Sequence, residues 1–455
     1  MMNDMESYTP ICDFVERYAQ SSSLRLHMPG HKGRSIIGAE SLDITEIDGA
    51  DVLYHAEGII RESEDNAARL FGTARTFYSA EGSSLCIRAM VYLAKLYAKS
   101  MGKTTTIIAA RNAHKTFITA AALMDIDVKW LYSLDSSVLS CKIDFAELER
   151  MLAELNPAAV YITSPDYIGN IADIDGIARL CHKYGSILMV DNAHGAYLKF
   201  LETSAHPIDL GTDMVCDSAH KTLPALTGAA YLHISRTAPG FFSDHAENAL
   251  SVFASTSPSY LILQSLDAVN GLLYGGLADR MRTSAAMAES LKKRLSERGY
   301  TLISREPLKL TICPKSYGYT GIQLAGILAG EGTVCEFSDP DYTVMMFSSE
   351  TAAEDYSRLE AALLEIPRSK PIDIQPPRLM RMEAAISPHE ALMSVQEWIP
   401  TAQAEGRILA GASVSCPPAV PIAVLGERIN ESAVRLFEYY GIEKCLVVRN
   451  GMEMP

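Results

Sequence analysis

Apolar and polar positions alternate with two periods along the chain. Short β-branched runs at 104–110, 158–163, 186–191, 213–217 and 228–234, each bounded by turn or polar residues, fit buried strands. Between and before them, apolar positions recur at helical spacing over 84–101, 115–124, 144–155 and 173–184, with Asp144 placed to cap the third of these helices. Strands alternating with helices imply an α/β fold whose mainly parallel sheet is covered by helices on both faces. A helical stretch over 276–298 stops at Arg298-Gly299-Tyr300, a basic last turn followed by glycine. The pattern then restarts with strand 308–312, helix 320–329, strand 342–347 and helix 351–365, a smaller α/β module. The proline-rich 367–377 reads as a linker, and 385–455 as a further piece whose independence the pattern leaves open. The expected parts are an N-terminal segment (1–60), a large domain (61–298), a small α/β domain (299–366) and a C-terminal domain (367–455).

Composition narrows the class. With 455 residues, 48% of them hydrophobic and 21% charged, the chain is long enough for a large globular core. Its formal net charge of -15 argues against a nucleic-acid partner, because phosphate binding draws on clustered Lys and Arg. No apolar run reaches the roughly 18 residues of a membrane span, and no membrane partner is expected. Nine cysteines without a CxxC pair fit a reducing compartment, so the expected location is the cytoplasm, and no metal site is expected.

Two of the strand-like runs end on candidate chemistry. Asp191 closes one, in Met189-Val190-Asp191-Asn192-Ala193-His194-Gly195, and Lys221 follows another, in Ser218-Ala219-His220-Lys221-Thr222-Leu223. Ligands of open α/β sheets gather at the carboxyl ends of strands. A lysine amine and a carboxylate placed there meet the needs of pyridoxal phosphate (PLP): the amine holds the cofactor aldehyde as a Schiff base, and the carboxylate keeps the pyridine nitrogen protonated. Taken singly, Lys221 also reads as a surface lysine and Asp191 as a turn or cap aspartate. Ala80-Glu81-Gly82-Ser83-Ser84 precedes a helix, so Gly82, Ser83 and Ser84 offer amides and hydroxyls to a phosphate; a plain capping turn looks the same.

Further segments join these in order: Leu26-His27-Met28-Pro29-Gly30-His31-Lys32-Gly33, Asp43-Ile44-Thr45-Glu46, Arg111-Asn112-Ala113-His114-Lys115, Thr163-Ser164-Pro165-Asp166-Tyr167, Ser257-Pro258-Ser259-Tyr260 and Cys416-Pro417-Pro418-Ala419-Val420-Pro421. In this set the chain resembles the PLP-dependent ornithine/lysine/arginine decarboxylases of aminotransferase-like fold type I, in their shorter, wingless form. The resemblance implies a PLP-binding large domain and a decarboxylase-type C-terminal domain. It implies Lys221 as Schiff-base residue and later proton donor, Asp191 at the pyridinium, and His114 stacked on the ring. Ala193 and His194 would line the ring, and Ser218 and His220 would join Gly82, Ser83 and Ser84 at the phosphate. Ser257 to Tyr260 would reach the site from a neighbouring subunit, or else start a helix with Pro258 in its first turn. A homodimer or higher homo-oligomer with shared active sites follows.

The implied reaction is α-decarboxylation of arginine, lysine or ornithine to the amine and carbon dioxide, as in polyamine biosynthesis. The alternative is another fold type I PLP enzyme, an aminotransferase or lyase; in an aminotransferase, Arg378 or Arg381 would grip the substrate carboxylate. The chain departs from the family pattern in places: Glu81 stands where asparagine is usual, and Ala419 and Leu425 stand in late segments that usually read Pro-Gly-Ile-Pro and Pro-Gly-Glu. These departures bear on the substrate more than on Lys221.

Overall fold

The computed structural model describes residues 9–134, 138–140, 142–411, 414–416 and 420–449, with the backbone alone at 414–416. Pro417, Pro418 and Ala419 of the late motif therefore lie outside the described residues. The expected strands between 104 and 234 form, each starting one to three residues later than expected. In chain order the strands that concern the site are β1 (Arg75–Ser79), β2 (Ile107–Ala110), β3 (Val128–Leu131), β4 (Ala159–Thr163), β5 (Ile187–Asp191), β6 (Met214–Asp217) and β7 (Ala230–Ile234). The trimmed polar residues serve the loops: the Asp213 carboxylate accepts the Leu188 N–H at 2.7 Å, and the Ser186 hydroxyl donates to the Pro157 carbonyl at 2.9 Å. β1 and β3 were not anticipated, because Arg75-Thr76 and Lys129 interrupt their apolar runs.

The chain divides into two compact units. The first comprises Met1–Tyr97, Ile174–Arg179 and Ile187–Arg282; the second comprises Ala98–Asp173, Leu180–Ser186 and Thr283–Pro455. In the first unit the strands lie in the order β1-β7-β6-β5. β5 and β6 are parallel, with Asp191 opposite Cys216, while β7 runs antiparallel to both β6 and β1. The link from β6 to β7 carries only the helix Ala219–Thr222, which is no full crossover helix, so the chain returns antiparallel. Leu188, Met189, Val190, Met214, Val215 and Leu232 are fully buried, as suits strands covered on both faces. Helices Pro10–Gln20, Ile59–Phe71 and Tyr260–Tyr274 meet around Asp267, whose carboxylate accepts from the Cys12 N–H and the Ser63 hydroxyl at 2.9 and 2.5 Å.

In the second unit, β4, β2 and β3 lie in that order, all parallel. Asp144 caps helix Phe145–Leu155 as expected, accepting the N–H groups of Ala146 and Glu147 at 3.0 and 3.3 Å. The smaller module after 298 is an antiparallel sheet built on Lys309–Cys313 and Thr343–Met346, with helices Gly321–Gly330 and Ala353–Glu365. Further along, Ile422, Leu436, Phe437 and Val447 share one buried cluster with Ile168, Phe337 and Val344, so the C-terminal piece does not close its own core. Among the described residues no helix is long and apolar enough to cross a membrane.

Candidate active site

The first unit brings the Asp191 and Lys221 turns together. Asp191, the last residue of β5, is 2% exposed, and its Oδ1 accepts the Ala193 N–H at 3.2 Å and the thiol of Cys216 at 3.6 Å. Lys221 sits in the short helix after β6 with an exposed side chain, and its Nζ lies 2.9 Å from His194 Nε2. His194 thus links the Asp191 turn to the lysine. An amine that reaches solvent is suited to capture an aldehyde.

A second cluster forms at the start of helix Gly82–Ser100. The Ser218 hydroxyl donates to Ser83 Oγ at 2.9 Å, which places two hydroxyls at a helix N-terminus. Gly82 adopts φ +69, and no atom lies within 4 Å of where its Cβ would stand. Its own N–H is taken by the Gly228 carbonyl at 2.7 Å. Ser84 is half-buried in the first helical turn. His220 Nδ1 lies 2.9 Å from the Ala229 carbonyl, and burial pushes its pKa down; the neutral ring therefore donates from Nδ1 and keeps Nε2 as an acceptor. The departure at Glu81 is harmless to this cluster's geometry, since its carboxylate accepts the Ser255 N–H at 2.6 Å.

The remaining expected residues fall differently. His114 belongs to the second unit, where its Nδ1 caps helix Lys115–Leu123 by accepting the Thr116 N–H at 3.2 Å. Helix Tyr260–Tyr274 begins after Ser259 at the cap, so Pro258 precedes the cap instead of occupying the first turn. The loop at Pro29 is sharply turned as expected, with Lys32 and Gly33 at φ 54 and 75. Arg378 and Arg381 both line a cavity of about 730 Å³ in the second unit, and the Arg381 guanidinium lies 4.9 Å from the Tyr132 ring centre.

Sequence reasoning missed the Cys216 thiol on Asp191 and the pairing of Arg111 with Glu427. Arg111 Nη2 meets Glu427 Oε2 at 3.0 Å, and Nη1 and Nη2 donate to the carbonyls of Pro421 and Ile422 at 2.9 and 3.0 Å. Arg111 stands in an early motif and Glu427 closes the late Leu425-Gly426-Glu427, yet nothing local joins positions 316 apart.

PLP fits the residues present. The site combines an accessible amine, a buried carboxylate, and paired hydroxyls at a helix start with open space at Gly82, which is the donor set that a phosphorylated pyridine aldehyde requires.

Comparison with known proteins agrees. A family model described as Orn/Lys/Arg decarboxylase, major domain, matches residues 9–305. An arginine decarboxylase of Bacillus subtilis (strain 168) is 29% identical over 460 residues, covering 94% of this chain and 92% of the relative. An arginine decarboxylase of Halalkalibacterium halodurans is 27% identical over 463 residues, with coverage of 94% and 92%. Among solved structures, the constitutive lysine decarboxylase of E. coli superposes with a TM-score of 0.78 at 19% identity, covering 97% of this chain and 82% of that one. The fold is that of the PLP-dependent enzymes of fold type I.

Proposed function

The chain belongs to the Orn/Lys/Arg decarboxylase family, and we propose that it uses PLP to remove the α-carboxylate of a basic amino acid, arginine in the first place. The observation that carries this reading is the pairing of exposed Lys221 with His194 beside buried Asp191. When bound, PLP supplies an aldehyde for an amine and a protonated ring that takes up electrons released at Cα. Asp191 keeps that ring nitrogen protonated, because a carboxylate in a buried setting favours an adjacent cation. Ser83, Ser218 and the first-turn amides of helix Gly82–Ser100 hold the phosphate. Lys221 Nζ would hold the cofactor and would carry the proton delivered to the substrate's Cα. His194 Nε2, 2.9 Å from that nitrogen, exchanges the proton with it. The stacking role of His114 is carried over from its motif.

Arginine is favoured by the names of the two relatives described above, each of which covers 94% of the chain. A homodimer is part of the reading: Leu24, Leu26, Ile36 and Ile37 are each at least 78% exposed, and a partner copy would cover them. The reading also places the enzyme in the cytoplasm, on the route to polyamines.

Purified protein given PLP should develop visible absorbance that Lys221→Ala abolishes, and a protein that stays colourless refutes the cofactor assignment. In a panel of arginine, lysine and ornithine, carbon dioxide should be released fastest from arginine. Keto-acid formation without carbon dioxide would move the assignment to transamination.

A further inference from the structure

Asp217 ends β6 one residue before Ser218 and four before Lys221, and its carboxylate is wholly buried. Three N–H donors converge on it. Asn192 Nδ2 donates to Oδ1 at 2.7 Å, while His206 Nε2 and His233 Nε2 reach Oδ2 at 2.9 and 3.1 Å. All four side chains are 0% exposed.

The tautomers are set from outside the cluster. His206 Nδ1 accepts the Ile208 N–H at 3.2 Å, so the proton of the neutral ring sits on Nε2 and points at Asp217. His233 Nδ1 lies 2.9 Å from the Thr76 hydroxyl, which donates to it, and Thr73 Oγ1 lies 2.8 Å behind. Burial pushes the His233 pKa down and keeps that ring neutral. Burial alone would push Asp217 up, yet His206 and His233 outweigh it and hold the carboxyl well below the ordinary range. Two imidazoles and a carboxylate are also the donor set of a transition-metal site. The bond into His206 Nδ1 argues against that use, since it leaves the proton on the nitrogen a metal would need.

A buried anion is costly unless each bond to it is made, so the cluster has one geometry in which it is satisfied. That geometry joins two turns. Asn192 directly follows Asp191, and its N–H is also tied to the Cys216 carbonyl at 2.9 Å; Ser218 directly follows Asp217. We propose that Asp217 is a positioning residue: it clamps the Asp191-to-His194 turn against the Ser218-to-Lys221 turn, and so presets the carboxylate and amine that PLP must engage together. The clamp rests on the PLP reading and adds residues to which the motifs assign no role.

The test titrates PLP into cofactor-free protein and reads the dissociation constant and the induced circular dichroism of the visible band, which reports how rigidly the cofactor is held. Asp217→Asn turns one acceptor into a donor facing N–H groups, and His206→Leu removes a donor. Each should weaken PLP binding at least about tenfold and diminish the visible signal per bound cofactor. His206→Gln restores an N–H donor and should stay within about threefold of wild type. If Asp217→Asn does not fold, the His206→Leu and His206→Gln pair decides. Wild-type affinity and visible dichroism in His206→Leu overturn the clamp, as does stoichiometric metal in the purified protein. A wild-type protein with no visible band overturns the cofactor reading itself, which separates the two failures.

Discussion

The two units bury charge in opposite ways. In the first, Asp217 stands among three N–H donors that carry no permanent charge, all drawn from residues 192 to 233. In the second, Glu427 faces a permanent cation: Arg111 and Glu427 are 6% and 3% exposed and 3.0 Å apart. Glu427 also accepts the Val424 N–H at 2.8 Å, and the guanidinium spends its other bonds on the carbonyls of strand Val420–Ala423. The Asp217 cluster is thus a local fixture of one sheet, whereas the Arg111 clamp ties a late strand to the end of β2. The first arrangement loses a few hydrogen bonds when disturbed. The second leaves a buried charge without its counterion.

The largest effect is therefore expected at the clamp. Glu427→Gln should cost about 3–5 kcal/mol in urea unfolding, because Arg111 remains charged and buried. Replacing both residues, with Arg111→Met added, should recover part of that loss, since no charge is then left alone. A cost below about 1 kcal/mol for Glu427→Gln, or a smaller cost there than for Asp217→Asn, would abolish the contrast between the units.

A second carboxylate in the first unit sharpens it. Glu64 accepts the Tyr78 N–H at 2.9 Å, but burial dominates and pushes its pKa up to about 8. The folded chain then keeps a proton that the unfolded chain releases near pH 4.5, so this contribution to stability is complete below about pH 4.5 and is lost as pH rises toward 8. Asp217, held low, has the opposite sign: its contribution is present above about pH 4 and is lost as the pH falls below that. Glu64→Gln should raise stability at pH 8 by a few kcal/mol relative to wild type, with little change at pH 4.5. Equal effects at both pH values would show that Glu64 is ionised in the fold.

What could be read in advance follows the same line between local and distant. β5 and β6 were legible because both faces are buried and the apolar run is continuous, and their polar ends exposed Asp191 and the Lys221 turn as candidates. β1 was not, because Arg75 and Thr76 open it and its pairing with β7 is antiparallel across more than 150 positions. His233 carried an unused signal: a histidine inside Ala230-Tyr231-Leu232-His233-Ile234 must be buried and must find a partner. The clamp had no such signal, since Arg111 and Glu427 each look like ordinary motif residues until the chain folds.

The smallest effect isolates burial from chemistry. Asp144 in the second unit does for helix Phe145–Leu155 what Asp217 does in the first: one carboxylate receives N–H donors, here from Ala146 and Glu147, but at a half-buried position. Asp144→Ala should cost about 1 kcal/mol and lower the melting temperature slightly. Asp144→Asn should cost only a few tenths of that, because an amide oxygen caps a helix as well as a carboxylate does and its NH2 can turn to water. At Asp217 the same exchange leaves the NH2 facing Asn192, His206 or His233 with no water to receive it. If asparagine is tolerated equally at both positions, burial does not decide what these carboxylates do, and the ranking of the two units fails with it.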